Sequence, residues 1–393
     1  MTVTAPPTPK TWTLGELLGP DILDEATAAQ RVADVASRAV GRNVPPQLPD
    51  VIEVGYPFGS PATAALLRIR GHDESGQPWS LFVKVLQHVR HWVLYPMLPP
   101  EFAEDFAAQF PWRSELDAWQ PAFVNLLPDG MRLPLLHAVI DLGDDRLAVW
   151  MEDIHESNEP WNEQRYERAA RLLGRLTARG TSREIVAACP YPPGYALRMW
   201  AERGARPTGL PPLADDEVWM HPWLAEHQEL RSDLRALADE IPAVLDRLDS
   251  LPQAMSHGDA SPQNLLVPIG EPTAFAVIDI SFQTPHAVGF DLSQLVAGLV
   301  HAGLQPAAAL QGIQDVVVDA FVAGLNDEGY DISRDQVEIG YVGALLLRSG
   351  FTSLPYETLR GPVDDPQLAN AFAERVGLTR FVVAQARRLF GPK

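Results

Sequence analysis

The chain has 393 residues, more than one ordinary core holds and enough for two domains at roughly 100–200 residues each. Lys and Arg number 31 against 51 Asp and Glu, a formal charge of −20; this argues against nucleic-acid and anionic-membrane partners, because both reward basic patches. The one cysteine, Cys189, excludes an internal disulfide and a cysteine-built metal site.

Met1 to Trp12 is rich in Thr and Pro and has no apolar core segment, so it reads as a flexible tail and not as a signal peptide. Ile22 to Val40 carries apolar residues at helical spacing until Pro45, Pro46 and Pro49 break the pattern. Three short strands follow, at Val51–Val54, Ala64–Ile69 and Trp79–Val85, separated by turn signals at Tyr56–Ser60 and Gly71–Pro78. Residues Ala138–Leu142 and Arg146–Met151, joined by Gly143-Asp-Asp, predict a hairpin. Beyond Glu152 the period becomes helical. Asn162 is placed to cap a helix with apolar positions Tyr166, Ala169, Leu172, Leu173 and Leu176, ending near Gly180. Ser333-Arg-Asp-Gln336 has the pattern of a capping box before a further helix.

Strands first and helices afterwards predict an α+β arrangement of two lobes, residues 1–152 and 153–393, with the boundary near Glu152–His155. The longest apolar stretches, near Leu292–Leu304 and Ile339–Leu347, fall short of the ~20 residues that span a bilayer. The expectation is a cytoplasmic protein without a membrane partner.

The chemistry is concentrated in His257-Gly-Asp259-Ala-Ser-Pro-Gln-Asn264, followed by Asp279 inside the apolar run Ala276–Ile280. Phosphoryl transfer asks a protein mainly to position substrates and neutralise charge. Asp259 is suited to orient an acceptor hydroxyl and take its proton. Asn264 and Asp279 offer hard oxygen ligands to Mg²⁺, which binds through one or two carboxylates plus substrate phosphates. The step from Asp259 to Asn264 equals that of the protein-kinase catalytic loop, although His-Gly-Asp replaces His-Arg-Asp.

On these residues the chain resembles the aminoglycoside phosphotransferase and choline kinase branch of the protein-kinase-like fold, over about residues 50–300. The resemblance implies a two-lobed fold, a small antiparallel-sheet lobe before a larger helical one, with a nucleotide held in the cleft. It implies a lysine on the third strand for the phosphates. Lys84 is the only lysine between Lys10 and Lys393 and stands in Leu81-Phe-Val-Lys-Val85. A glutamate on a following helix should hold that lysine; Glu115, in Trp112-Arg-Ser-Glu-Leu-Asp-Ala-Trp119, fits best, with Asp117, Glu101, Glu104 and Asp105 as competitors. The segment from Gln87 to Pro111 is longer than the connection needs.

The phosphate-covering loop lacks Gly-x-Gly-x-x-Gly; in Gly55–Thr63 the candidate donors are Gly59, Ser60 and Thr63. Trp150-Met-Glu-Asp-Ile154 resembles the family's adenine-binding hinge, which points to the Glu152 carbonyl and the Ile154 N–H. Gly289-Phe-Asp291-Leu-Ser matches the segment that braces the catalytic loop, and His257 is expected to orient that loop; a helix-dipole role for Asp291 is the structural alternative. No activation loop follows Asp279, which separates the chain from regulated signalling kinases.

The sequence therefore predicts an ATP- and Mg²⁺-dependent phosphotransferase acting on a hydroxyl of an antibiotic, sugar or amino alcohol. The negative charge is compatible with a cationic acceptor. Two other readings stand beside it: a tailoring kinase for Ser or Thr of a peptide, and an inactive binding protein of kinase ancestry.

Overall fold

The computed structural model describes residues 12–22, 24–55, 60–98, 100–280 and 284–391. The expected N-terminal tail, up to residue 11, and Gly59 lie outside them. The chain divides into two compact units, Met1–Gln120 with Leu133–Glu156 and Pro268–Gly270, and Pro121–Arg132 with Ser157–Val267 and Glu271–Lys393. Residues 121–132, 153–156 and 268–270 therefore fall on the other side of the division from where a single boundary at residue 152 puts them.

The first unit is α+β. Helix α1, Glu25–Val40, starts at Asp24, whose carboxylate accepts from the Thr27 N–H at 2.8 Å, and stops at Gly41 in the left-handed region. Five antiparallel strands follow: β1 Asp50–Glu53, β2 Thr63–His72, β3 Pro78–Gln87, β4 Leu136–Gly143 and β5 Arg146–Glu152. Their order is β1-β2-β3-β5-β4. At the hairpin joining β4 to β5, Gly143, Asp144 and Asp145 all take positive φ, which places the turn in the left-handed conformations such residues tolerate.

Alternation along the strands gives the sheet two different faces. Leu67, Ile69, Leu81, Val83, Val85 and Trp150 pack under α1 through Val32 and Ala36, and the Trp150 indole N–H donates to Leu17 O at 3.2 Å. Leu86, Leu147, Val149 and Met151 point the other way and meet Trp112, Leu116 and Trp119. Lys84, paired with Leu66 and Val149 and flanked by Val83 and Val85, belongs to this second face. Between Gln87 and Pro111 the described residues form short 3₁₀ turns at Val89–His91 and Tyr95–Met97 and a helix at Pro100–Gln109.

The second unit is mainly helical. Its helices include α2 Glu163–Arg179, α3 Leu292–His301, α4 Leu310–Asp327, α5 Arg334–Leu345 and α6 Pro366–Phe390. Asn162 caps α2 by accepting from the Arg165 N–H at 3.0 Å. Ser333 and Gln336 form the reciprocal capping box of α5. Helices α2 and α4 approach until backbone meets backbone: a Cβ added at Gly324 would lie 2.0 Å from Arg171 O, and one at Gly174 would lie 2.2 Å from Phe321 O. Residues Ala307–Asp327, which include α4, are long and apolar enough to cross a membrane, a stretch the sequence reading passed over. Here that helix buries Val317, Val318 and Phe321 and packs on α2.

Gly324→Ala should lower the unfolding free energy by about 1–3 kcal/mol, because the α2–α4 crossing has no room for a methyl group. Gly312→Ala on the same helix, where nothing lies within 4 Å of the added Cβ, should raise it by up to about 1 kcal/mol. Denaturant midpoints of the two variants check the contrast.

Candidate active site

The predicted site residues fall into two groups, one in each unit. In the first unit, Lys84 Nζ lies 2.7 Å from Glu115 Oε2, and each side chain is only 10 % exposed. Glu115 comes from a 3₁₀ helix, Ser114–Trp119, and not from the expected α-helix. That turn is held against the sheet by Trp112, Leu116 and Trp119, and the Trp119 indole N–H donates to Pro134 O at 2.9 Å. Asp117, a competitor for the same role, sits in the same turn, and burial raises its pKa. Ser60 and Thr63 lie at the start of β2, where Ser60 O accepts from the Thr63 N–H at 3.3 Å.

Glu152 ends β5. Its carboxylate accepts from the Leu135 N–H at 3.1 Å, and its own N–H donates to Leu135 O at 2.9 Å. Asp153 is buried and pairs with Arg68 at 2.8 Å. Beyond it, the Ile154 N–H has no hydrogen-bond acceptor among the described residues. An open donor at this point is what a heterocycle edge requires.

In the second unit the catalytic-loop candidate runs from β6, Gln253–Met255, to β7, Leu265–Leu266. Gly258 has φ +80, a turn that only a residue without Cβ enters cheaply. Asp291 is buried at the N-terminus of α3 and makes no cap hydrogen bond to that helix. Its carboxylate reaches back to the loop, accepting from the His257 N–H at 3.0 Å and the Gly258 N–H at 2.8 Å. Burial raises the Asp291 pKa, while His257 and those two N–H groups pull it back down. Burial lowers the His257 pKa against the pull of Asp291, Asp259 and Asp279. His257 Nδ1 accepts from the Asp259 N–H at 3.2 Å, so the neutral ring carries its proton on Nε2. His257 thus shapes the turn that presents Asp259.

Asn264 donates its side-chain N–H to Asp259 O at 2.9 Å and to Asp259 Oδ2 at 3.2 Å. Strand β7 pairs antiparallel with β8, Phe275–Val277, and the Ile278 N–H donates to Asn264 O at 3.0 Å. This hairpin sets Asp279 beside the Asn264 end of the loop. Asp279 has φ 57, and a non-glycine residue held in the left-handed region costs of order 1–3 kcal/mol and concentrates at functional sites.

The remaining neighbour of Asp259 is Arg348. Helix α5 continues into a π-helical turn, Leu346–Gly350, from which Arg348 Nη2 meets Asp259 Oδ1 at 2.5 Å and Nη1 donates to Gly258 O at 3.0 Å. The guanidinium lies 5.6 Å from the Trp200 ring centroid and 6.0 Å from that of Phe290.

No family model matches the chain, and no curated protein sequence does. Solved structures do match along most of its length. Spectinomycin phosphotransferase APH(9)-Ia with AMP bound aligns over 91 % of this chain and 97 % of its own, at 12 % identity and TM-score 0.50. An aminoglycoside phosphotransferase from Alicyclobacillus acidocaldarius aligns over 86 % and 91 %, at 13 % identity and TM-score 0.50. The fold is that of the aminoglycoside phosphotransferases, which is protein-kinase-like.

Within that aminoglycoside phosphotransferase fold, the sequence reading missed Arg348. It stands about ninety positions from Asp259, and the available signal was a lone arginine after the apolar run Tyr341–Leu347. Such residues are almost never buried unless paired. Among the aromatic residues between Pro192 and Pro242, Trp200 lies under Arg348, whereas Trp219 is fully buried and its indole N–H donates to Pro212 O. Trp223 packs on Phe372, and Tyr195 stacks on Tyr191.

Asp291→Ala leaves two interior N–H groups without their acceptor, at about 1–3 kcal/mol for each unsatisfied group. A carboxylate that merely complements a helix dipole contributes about 0.3–1 kcal/mol. Chemical denaturation should therefore show a loss of at least about 2 kcal/mol; a loss under about 1 kcal/mol would assign Asp291 to the dipole role alone.

Proposed function

We propose that the chain is an ATP- and Mg²⁺-dependent phosphotransferase that moves the γ-phosphoryl group to a hydroxyl of a small molecule. One observation carries the reading: Asp259, Asn264 and Asp279 are gathered on one loop and hairpin, with the backbone of that loop pinned by Asp291. In this reading Asp259 accepts the proton of the acceptor hydroxyl. The hydroxyl oxygen forms its bond to the γ-phosphorus as the bond to the β-bridging oxygen breaks, and ADP leaves with that electron pair.

The metal fits the donor set. The Asn264 amide nitrogen is committed to Asp259, which turns its one oxygen to the role of a hard ligand beside the Asp279 carboxylate. Bound there, Mg²⁺ supplies charge neutralisation for the phosphates. Lys84 holds phosphate oxygens and is itself oriented by Glu115, while Ser60, Thr63 and Gly59 cover the phosphates. Glu152 O and the Ile154 N–H receive the adenine edge.

A small-molecule acceptor is favoured over a peptide by the likeness to a spectinomycin phosphotransferase whose structure holds ADP and spectinomycin, at 11 % identity and TM-score 0.50. The inactive-protein reading is disfavoured because Lys84, Asp259, Asn264 and Asp279 are all present. ATP consumption fits a cytoplasmic site of action.

Screening alcohols with labelled ATP, read by mass spectrometry, should find an acceptor that gains one phosphoryl group. With that acceptor, Asp259→Asn should lower kcat by about 10²–10⁴ while ATP affinity stays within a few-fold. Turnover that survives the substitution would assign the base to another residue.

A further inference from the structure

Arg348 is the side chain beside Asp259 to which the phosphotransferase reading gives no task. It is nearly buried, with 7 % of its side chain exposed against 21 % for Asp259. Its Nη2 meets Asp259 Oδ1 at 2.5 Å, and its Nη1 donates to Gly258 O at 3.0 Å. Asn264 makes the same kind of double contact through the other oxygen, donating to Asp259 Oδ2 at 3.2 Å and to Asp259 O at 2.9 Å. Each partner ties the carboxylate to the backbone of its own loop, and the two together fix how it is rotated. The guanidinium bond is the stronger of the two because both of its ends are charged.

Two irregular helical stretches put the guanidinium there. Arg348 belongs to the π-helical turn Leu346–Gly350, and a second π-helical stretch, Ala201–Gly209, begins directly after Trp200. They meet backbone to backbone: a Cβ at Gly209 would lie 2.4 Å from the carbonyl oxygen of Phe351, the residue that follows the turn. The guanidinium carbon is 5.6 Å from the Trp200 ring centroid and 6.0 Å from that of Phe290, within the reach of cation–π attraction. Phe290 stacks on His286 at 3.7 Å and directly precedes Asp291, the brace of the same loop. Such π-helical turns are uncommon and occur frequently at functional sites. Stability alone does not call for this arrangement, since a buried ion pair is often replaced by packed apolar side chains without loss.

We propose that Arg348 is the positioning residue of the candidate base: it holds Asp259 Oδ1, so that Oδ2 is the oxygen presented to the acceptor hydroxyl. As the hydroxyl oxygen bonds to the γ-phosphorus, its proton passes to Oδ2 while Oδ1 stays with Arg348. This deepens the phosphotransferase reading and rests on it for its link to turnover, whereas the clamp itself belongs to the loop. A role in recognising the acceptor is a poorer fit, because both terminal nitrogens are committed to Asp259 and Gly258.

Turnover and folding test the two parts separately. With ATP and the alcohol found by the screen, Arg348→Met should lower kcat about 10²-fold, the cost of a misplaced reacting group. Arg348→Lys keeps the charge but loses the fork that reaches two acceptors, and should recover part of that loss; if the Met variant fails to fold, the Lys variant carries the comparison with wild type. KM for the alcohol and the calorimetric Kd for ATP should stay within about threefold in both, since the lost interaction serves only the reacting step. Because Arg348 acts through Asp259, adding Arg348→Met to Asp259→Ala should lower kcat by less than a further factor of about two. Ser349→Ala, on the same turn and with a buried hydroxyl that has no hydrogen-bond partner, should leave kcat unchanged. Urea midpoints need no acceptor: the shift in Arg348→Met/Asp259→Ala should be smaller than the sum of the two single shifts. Wild-type or raised kcat in the Arg348 variants, a loss carried by the alcohol's KM alone, multiplicative losses of kcat in the double variant, or additive midpoints would each overturn the proposal. Absence of turnover by the wild-type protein, with midpoints that are not additive, would instead remove the phosphotransferase reading and leave the clamp standing.

Discussion

The candidate site of the second unit depends on one buried carboxylate. Asp291 takes no part in capping its own helix and instead accepts the N–H groups of His257 and Gly258. A charge removed from water needs its hydrogen bonds satisfied by the protein, and here two backbone N–H groups of the turn supply them, which fixes that turn. Once that turn is fixed, Asp259 is aimed, Asn264 bonds back to it, and the β7–β8 hairpin carries Asp279 to the same place. Gly298 completes the arrangement by letting α3, the helix that begins with Asp291, lie directly on Ser261. The brace and the braced loop are thus packed as one body.

In the first unit the corresponding constraint is strand alternation. Val83 and Val85 are committed to the core under α1, so Lys84 emerges on the opposite face, where an aromatic cluster holds the turn bearing Glu115. The ion pair follows from the sheet's register and needs no separate device.

What the sequence made legible was local. Capping at Asn162 and Ser333 and the alternation through β3 are written within a few residues of the elements they define. The hairpin at Gly143 is equally local. The His257–Asn264 loop could be picked out because its residues are contiguous. Arg348 was not, since its significance arises from the contact of the π-helical turn after α5 with a loop about ninety positions away. The 3₁₀ turn at Glu115 was missed for a related reason: tertiary packing of three apolar side chains, and not helix propensity, sets its form. Net charge is equally remote from the site. The value of −20 describes mostly solvated surface, whereas the neighbours of Asp259 are set by which few side chains are buried there.

The most direct measurement of the central claim needs no acceptor. Calorimetric titration of the protein with ATP, with and without Mg²⁺, should show binding that Mg²⁺ tightens by about tenfold or more, since on the proposed reading Asn264 and Asp279 would hold the metal. In Asp279→Ala that Mg²⁺-dependent gain should disappear while the metal-free affinity is retained. No binding at millimolar nucleotide, or a Mg²⁺ gain that Asp279→Ala leaves intact, would contradict the account.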